Sequence, residues 1–432
     1  MALRRLDLRG FDGDRRALTD LLPRPVDEQD RSAEAVAAIL SDVRTNGDDA
    51  LRRLTAEFDH VDVERLRVPA AEISAALDRI PVALQEALDV AHDRILAYHS
   101  HEASDAPDDF TNGGVTVRHL IRPVARAGCY APGGRARYPS TVLMCAVPAH
   151  VAGVREIVLC VPPGPDGRID DATLAAAAVA GVTDVYAVGG AQAIGAMAYG
   201  TESIDAVDVI VGPGNRYVAE AKRQVSGVVG VASAFAGPSE VVVIAGPGTP
   251  SELAAIDLVV QAEHGPDGLA WLITWSEELV ERVDAAVDRI VAASPRRSDL
   301  EATLGSGGYA VLVDSPKKAC AVANVVAPEH LEILTDDAAS LLGHIESAGA
   351  VFLGTNAPAS FGDYVAGTNH VLPTNRTARF ASALRVDDFR KHIHAVSLDD
   401  AAVRALAPHV ETLAATEGLP AHAQSVRLRW PG

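Results

Sequence analysis

Glu240-Val241-Val242-Val243-Ile244 is followed by a helix-patterned stretch from Pro250 to Glu263, and then by Ala270-Trp271-Leu272-Ile273-Thr274. Two continuous apolar runs joined by one helix length fit parallel strands, which need a crossover and are covered on both faces. The pattern repeats outward in both directions. Further strands are expected at Glu156–Val161, Asp184–Val188, Asp208–Val211, Ala310–Val313 and Ala350–Leu353. Helices are expected at Pro139–Val151, Asp171–Ala180, Glu277–Ala293 and Pro316–Asn324. Strands alternating with helices define an α/β fold. The first hundred residues read instead as helices, with apolar residues at helical spacing over Ser32–Thr45 and Val82–His99. Gly212-Pro213-Gly214 and Gly246-Pro247-Gly248 are candidate hinges or lobe boundaries.

Composition narrows the function classes. At 432 residues the chain exceeds one ordinary core, so two lobes are expected. A net charge of −20 argues against nucleic acid, whose phosphates need a basic face. Cys129, Cys145, Cys160 and Cys320 show no CxxC spacing, so reduced buried thiols are expected. The N-terminal Met1-Ala2-Leu3-Arg4-Arg5 has no apolar signal core, and no run spans a membrane without charges or breakers. A cytoplasmic protein is the expectation.

Ala327-Pro328-Glu329-His330-Leu331-Glu332 sets a carboxylate beside an imidazole after a proline. Such a pair supplies two proton-transfer groups usable near neutral pH. Glu-His pairs are common, and alone this one fits a solvated Glu beside a structural His. Gln261 and His264 stand three apart at the end of a helix, on one face. Asp363 lies in a glycine-bounded loop, Ser360-Phe361-Gly362-Asp363-Tyr364, which reads equally well as turn chemistry. Gly189-Gly190 opens a helix after a strand, an anion-binding entrance or simply a tight turn. No GxGxxG follows a strand, and no GxSxG surrounds Ser239, so acyl transfer is set aside.

These segments resemble histidinol dehydrogenases in order and spacing. The likeness runs from about Val36 to Arg427. It takes in Gly128-Cys129-Tyr130-Ala131-Pro132-Gly133-Gly134, Gly189-Gly190-Ala191-Gln192, Val211-Gly212-Pro213-Gly214-Asn215 and Ala236-Gly237-Pro238-Ser239-Glu240. It continues through Gln261-Ala262-Glu263-His264, Gly367-Thr368-Asn369-His370 and Glu417-Gly418-Leu419-Pro420-Ala421-His422. The resemblance implies two intertwined Rossmann-like domains in a domain-swapped homodimer with shared active sites. Mapped here, residues 1–24 form an N-terminal arm, and 25–129 with 239–383 a first domain carrying the catalytic pair. Residues 130–238 form a second domain with the NAD contacts, and 384–432 a tail reaching the partner subunit.

The resemblance also implies the chemistry, a zinc- and NAD-dependent, four-electron oxidation of L-histidinol to L-histidine through the aldehyde. It places zinc on Gln261, His264, Asp363 and His422, the last from the other subunit, and NAD on Tyr130, Gln192 and Asn215. Glu329 and His330 become the catalytic pair. Ser239 and Glu417 join Gln261, His264, His330, Asp363 and His422 around the substrate. Departures from the family pattern include Ser233, Phe235 and Ser382-Ala383-Leu384-Arg385-Val386 in place of Ser-Gly-Leu-Ser-Val. They bear on substrate rather than chemistry, and keep open another small polar alcohol, such as a sulfonated diol, or a two-lobed binding protein without catalysis.

Overall fold

The apolar runs become strands of two parallel sheets. The computed structural model describes residues 3–23, 32–133, 137–232, 239–263 and 268–429. His264, Ser233 and Phe235 lie outside them. In chain order the strands are β1 (Arg4–Asp7), β2 (Phe110–Asn112), β3 (Val115–Pro123), β4 (Arg126–Tyr130), β5 (Glu156–Val161), β6 (Asp184–Ala187) and β7 (Val209–Val211). They continue as β8 (Gly230–Val231), β9 (Glu240–Ala245), β10 (Leu269–Thr274), β11 (Gly308–Leu312), β12 (His330–Leu334), β13 (Ala350–Leu353) and β14 (Arg390–Leu398).

The chain divides into two compact units. The first takes in the described residues up to Glu102 together with Ala125–Phe389. It holds a six-stranded sheet in the order β1-β11-β10-β9-β12-β13 and a five-stranded sheet in the order β6-β5-β4-β7-β8. All strand pairs in both are parallel. In the six-stranded sheet, β9 and β12 are central and wholly buried, with Val241, Val243, Ala245 packed on one face and Val242, Ile244, Leu331, Ile333 on the other. Helix Ser251–Ala262 covers the first face, and helix Pro316–Val326 the second. Burial on both faces explains why these strands read as unbroken apolar runs.

The second unit takes in Ala103–Val124 and the described residues from Arg390 onward. β14 and β3 pair antiparallel over nine residues each, with β2 on the other side of β3. Helices Asp400–Thr416 and Pro420–Arg427 follow. Ile393, Val396 and Leu398 on β14 and Leu413 on the first helix are exposed, an unusual amount of bare apolar surface for so small a unit.

Two expectations need correction. The first hundred residues are not all helical, because Arg4–Asp7 joins the sheet as an edge strand on β11. A four-residue strand rich in charge carries no apolar alternation, so only its pairing partner identifies it. The two Gly-Pro-Gly turns are not boundaries between units. Both follow strands inside the first unit, Gly212 after β7 and Gly246 after β9.

The four cysteines are buried and unbridged, as expected. Among the described residues no helix is long and apolar enough to cross a membrane.

Candidate active site

The Pro316–Val326 helix ends at Ala327, which adopts a left-handed φ of 50° while its N–H bonds to the Ala323 carbonyl at 2.7 Å. Pro328 cannot extend a helix, and the chain leaves it directly into β12. Glu329 and His330 therefore sit at the amino end of a central strand, buried at 9% and 5% exposure. Glu240 at the start of neighbouring β9 donates its backbone N–H to Glu329 Oε2 at 3.2 Å, and Ser239's hydroxyl bonds to the same carboxylate. His330 Nε2 meets Asp363 Oδ1 at 3.1 Å. Its Nδ1 lies 3.7 Å from Glu329 Oε2, too far for a hydrogen bond, and the Glu240 backbone also acts on the ring.

Burial dominates the electrostatics. It pulls the His330 imidazole down, but the charges of Glu329 and Asp363 more than reverse this and push it up to about 9. Burial raises Glu329, opposed by His330 and by the Glu240 N–H. It raises Glu240 too, with the Glu329 charge adding, to about 8. Three carboxyls thus crowd one imidazole in a poorly solvated place. Groups with displaced proton affinities of this kind are what proton-transfer chemistry requires.

Asp363 is not in a loop. It lies on the short helix Ala359–Tyr364, entered from an extended Pro358. Gly362 serves close packing there rather than a turn, since a Cβ on it would stand 2.5 Å from the Phe352 ring. Gln261 occupies the last turn of helix Ser251–Ala262, 3% exposed, and its Nε2 has no acceptor among the described residues. Tyr364 is raised by burial, then by the charge of Asp363, with Tyr138 and Glu263 adding. An amide oxygen and a carboxylate oxygen are donors zinc accepts, so Gln261 Oε1 and Asp363 fit as ligands by their chemistry. His422 lies on helix Pro420–Arg427 and Glu417 caps helix Asp400–Thr416, both in the second unit.

The expected NAD contacts collect at the opposite kind of edge, the carboxyl ends of the five-stranded sheet. Tyr130 ends β4, and its hydroxyl oxygen accepts the Gly190 N–H at 3.1 Å. Gln192, 1% exposed, lies on helix Gly190–Tyr199, and its Oε1 lacks a donor among the described residues. Asn215 caps helix Arg216–Val225, with Oδ1 accepting from Tyr217 and Val218 N–H at 3.0 and 3.1 Å. Only glycine fits the floor of this edge. A Cβ on Gly212 would stand 2.1 Å from the Tyr130 carbonyl oxygen, and one on Gly189 2.5 Å from Pro162. Bare backbone, a helix N-terminus and an unpaired amide suit a dinucleotide.

A search against family models matches residues 22–430 to histidinol dehydrogenase. The histidinol dehydrogenase of Synechococcus is 47% identical over 91% of each chain, and that of Aromatoleum aromaticum 45% identical over 91% of this chain and 90% of its own. The crystal structure of histidinol dehydrogenase from Elizabethkingia anophelis superposes with a TM-score of 0.93 at 35% identity, covering 99% of this chain and 98% of that one. The chain belongs to the histidinol dehydrogenase family.

Within that family frame, the structure adds residues the sequence reading did not assign. His370 Nδ1 contacts the Asp363 carbonyl at 2.9 Å and its Nε2 the Thr141 hydroxyl at 3.1 Å. Thr141 is in the first turn of helix Pro139–Ala152, so His370 ties the Asp363 segment to the five-stranded half. Glu240 and Glu332 are buried carboxyls near Glu329 and His330, and Asp257 is buried against Glu332. The signal for Glu332 was present, because it stands two residues after His330 and strand alternation puts both on one face. Asp257 stands one helical turn before Gln261.

Proposed function

We propose that this protein oxidises L-histidinol to L-histidine in two steps, with Glu329 and His330 as its proton-transfer pair. The placement that supports this most directly is His330 held between Glu329 and Asp363 at the amino edge of β12. In this reading Gln261, His264 and Asp363 of one copy, with His422 of a second, hold zinc. Tyr130, Gln192 and Asn215 hold NAD. Ser239 and Glu417 face the substrate. Zinc would supply a fixed positive charge that polarises and orients the alcohol, and NAD the hydride acceptor.

His330 takes the alcohol proton as hydride departs. Its strong affinity for a proton comes partly from Asp363, and that share falls when a cation engages the same carboxylate. A cation on Asp363 would therefore leave His330 nearer to the neutral base that the first step needs. Glu329, raised by burial, then takes a proton from the water that attacks the aldehyde, and the hydrate gives up the second hydride. Each histidinol yields two NADH. Burial of the pair keeps the reactive aldehyde from bulk water.

A homodimer follows from the same reading. The exposed Ile393, Val396, Leu398 and Leu413 of the second unit give a second copy an apolar surface to cover. Relatives at 45–47% identity named histidinol dehydrogenase favour histidinol over the sulfonated-diol alternative.

The test is NADH formation by zinc-loaded protein on L-histidinol, beside small amino alcohols and sulfonated diols. Two NADH per histidinol are expected. Glu329→Gln should retain oxidation to the aldehyde and lose the second step, giving one NADH. Turnover of another panel member without histidinol would overturn the substrate, and equal loss of both steps in Glu329→Gln would overturn the role of Glu329.

A further inference from the structure

We infer that Asp257 and Glu332 form a buried carboxyl pair that positions the three elements bearing Gln261, His330 and Asp363. The inference rests on the functional reading above for what those three residues do, and on geometry for the pair itself. Glu332 is 1% exposed and shares a face of β12 with His330. Asp257, 9% exposed, is on helix Ser251–Ala262, one turn before Gln261. Glu332 Oε1 accepts the backbone N–H of Ala359 at 2.8 Å, and Ala359 is the first residue of the helix that carries Asp363. One carboxyl thus caps the Asp363 helix, stands beneath His330 and faces the Gln261 helix.

The remaining oxygens require a proton. The Asp257 carboxyl lies against that of Glu332, yet Glu332 Oε2 has no donor among the described residues. Two ionised carboxylates offer only acceptors, and in a buried place they repel. A single proton between them turns the repulsion into a hydrogen bond. Burial, then the Asp257 carboxyl, pushes Glu332 up to about 9, and burial raises Asp257 as well. Apolar side chains would fill this spot without the cost of burying two acids. What they would not provide is an acceptor for Ala359 and a link to the Gln261 helix. Asp257 and Glu332 are positioning residues, since neither touches the reacting atoms in this assignment.

The discriminating variants are isosteric. Glu332→Gln keeps an oxygen for Ala359 and replaces the shared proton with an amide N–H toward Asp257. It should stay close to wild type in zinc affinity and in kcat and KM for histidinol. Asp257→Asn should do the same. Glu332→Leu removes the cap and strands Asp257. Its zinc affinity should fall by about tenfold or more, the usual cost of losing a group that orients a metal ligand. Histidinol KM should rise more than kcat falls, NAD KM should hold, and hydrogen exchange at Ala359 should quicken. The infrared carbonyl band of protonated carboxyls should lose the intensity of one group in Glu332→Gln relative to wild type, the remainder coming from Glu240.

Wild-type zinc affinity in folded Glu332→Leu would overturn the positioning role. A Glu332→Gln as impaired as Glu332→Leu, or a protonated-carboxyl band of equal intensity in wild type and Glu332→Gln, would overturn the shared proton. Exchange and infrared need neither substrate nor metal. A wild type that ignored histidinol would therefore sink the functional reading and leave the pair to be judged by its own readouts.

Discussion

The two parallel sheets of the first unit offer their residues of interest at opposite edges. The six-stranded sheet gathers Glu329, His330 and Glu240 at the amino ends of β9 and β12, all buried and all titratable. The five-stranded sheet gathers Tyr130, Gly189, Gly212 and Asn215 at the carboxyl ends of β4, β6 and β7, mostly backbone and neutral side chains. The usual rule for open α/β sheets puts ligands beyond the carboxyl ends, where loops and helix N-termini meet. In the proposed function one sheet follows it and the other does not. Among the described residues, no crossover helix begins at the amino edge, so charge handling falls to side chains. The carboxyl edge can leave anion binding to backbone N–H groups.

If that division holds, removing a titratable group from the amino edge should give the largest effect. His330→Asn keeps a polar side chain of similar reach and deletes the base. Turnover of histidinol should fall by about 10²- to 10⁴-fold, the contribution of a positioned acid or base. NAD affinity, measured by NADH fluorescence, should be nearly unchanged. A comparable loss of NAD binding would show that the two edges are not separable.

The carboxyl edge has the complementary test. Gly212 has φ of 106°, and an added Cβ would meet the Tyr130 carbonyl oxygen at 2.1 Å. Gly212→Ala must shift the backbone at the proposed NAD edge and add strain of roughly 1–3 kcal/mol. NAD KM should rise while zinc affinity holds. An equal loss of zinc would break the comparison from the other side.

Stability against pH gives a smaller but cleaner signature. Glu240 is held up at about 8 and Glu332 at about 9, both above the ordinary 4.5. An acid with a raised folded pKa binds its proton more tightly when folded. Its stabilising contribution is full below about 4.5 and is lost as pH rises through the folded value. His330, raised to about 9, loses its contribution in the same direction from about 6.5 upward. Buried Lys222 of the five-stranded half, lowered to about 8, acts oppositely above that pH. Buried His99 and His150, both lowered below 6.5 by burial, also act oppositely up to about that pH, so the window from about pH 6.5 to 8 isolates the amino edge. Metal-free protein should lose a few degrees of Tm across it, and Glu240→Gln should flatten the slope. A rising Tm over that window would contradict the sign.

Much of this architecture was legible. The β-branched runs from Glu156 to Leu353 announced most strands of both sheets, because double-sided burial leaves an unbroken apolar imprint. β4 escaped, since Arg126-Ala127-Gly128-Cys129-Tyr130 lacks β-branched residues, and its small ones admit Met197 at Gly128. The ribbon of β3 and β14 escaped because its partners are far apart in sequence and its surface is largely exposed. At the site, Glu329-His330 was visible as a local pair. The Asp363 helix, the capping Glu332 and the bridge through His370 arise only when distant elements pack, and no local pattern encodes that.

Arg385 offers the finest test, because the resemblance implies a serine at this position and so invited a reading about substrate. Its Nε donates to Glu102 Oε1 at 2.7 Å. Glu102 also holds His99 Nδ1 at 2.8 Å, and fully buried His99 faces Asn369, the neighbour of His370. Arg385 is thus remote support for the amino edge, engaged by protein rather than directed at a ligand. The pair is half-exposed on the arginine side and Glu102 keeps His99 when Arg385 is lost. Arg385→Ser should therefore cost less than about 1 kcal/mol. Histidinol KM should not move, and neither should NAD KM. A several-fold change in histidinol KM alone would mean that this position senses substrate, and would extend the titratable edge beyond the groups that line it.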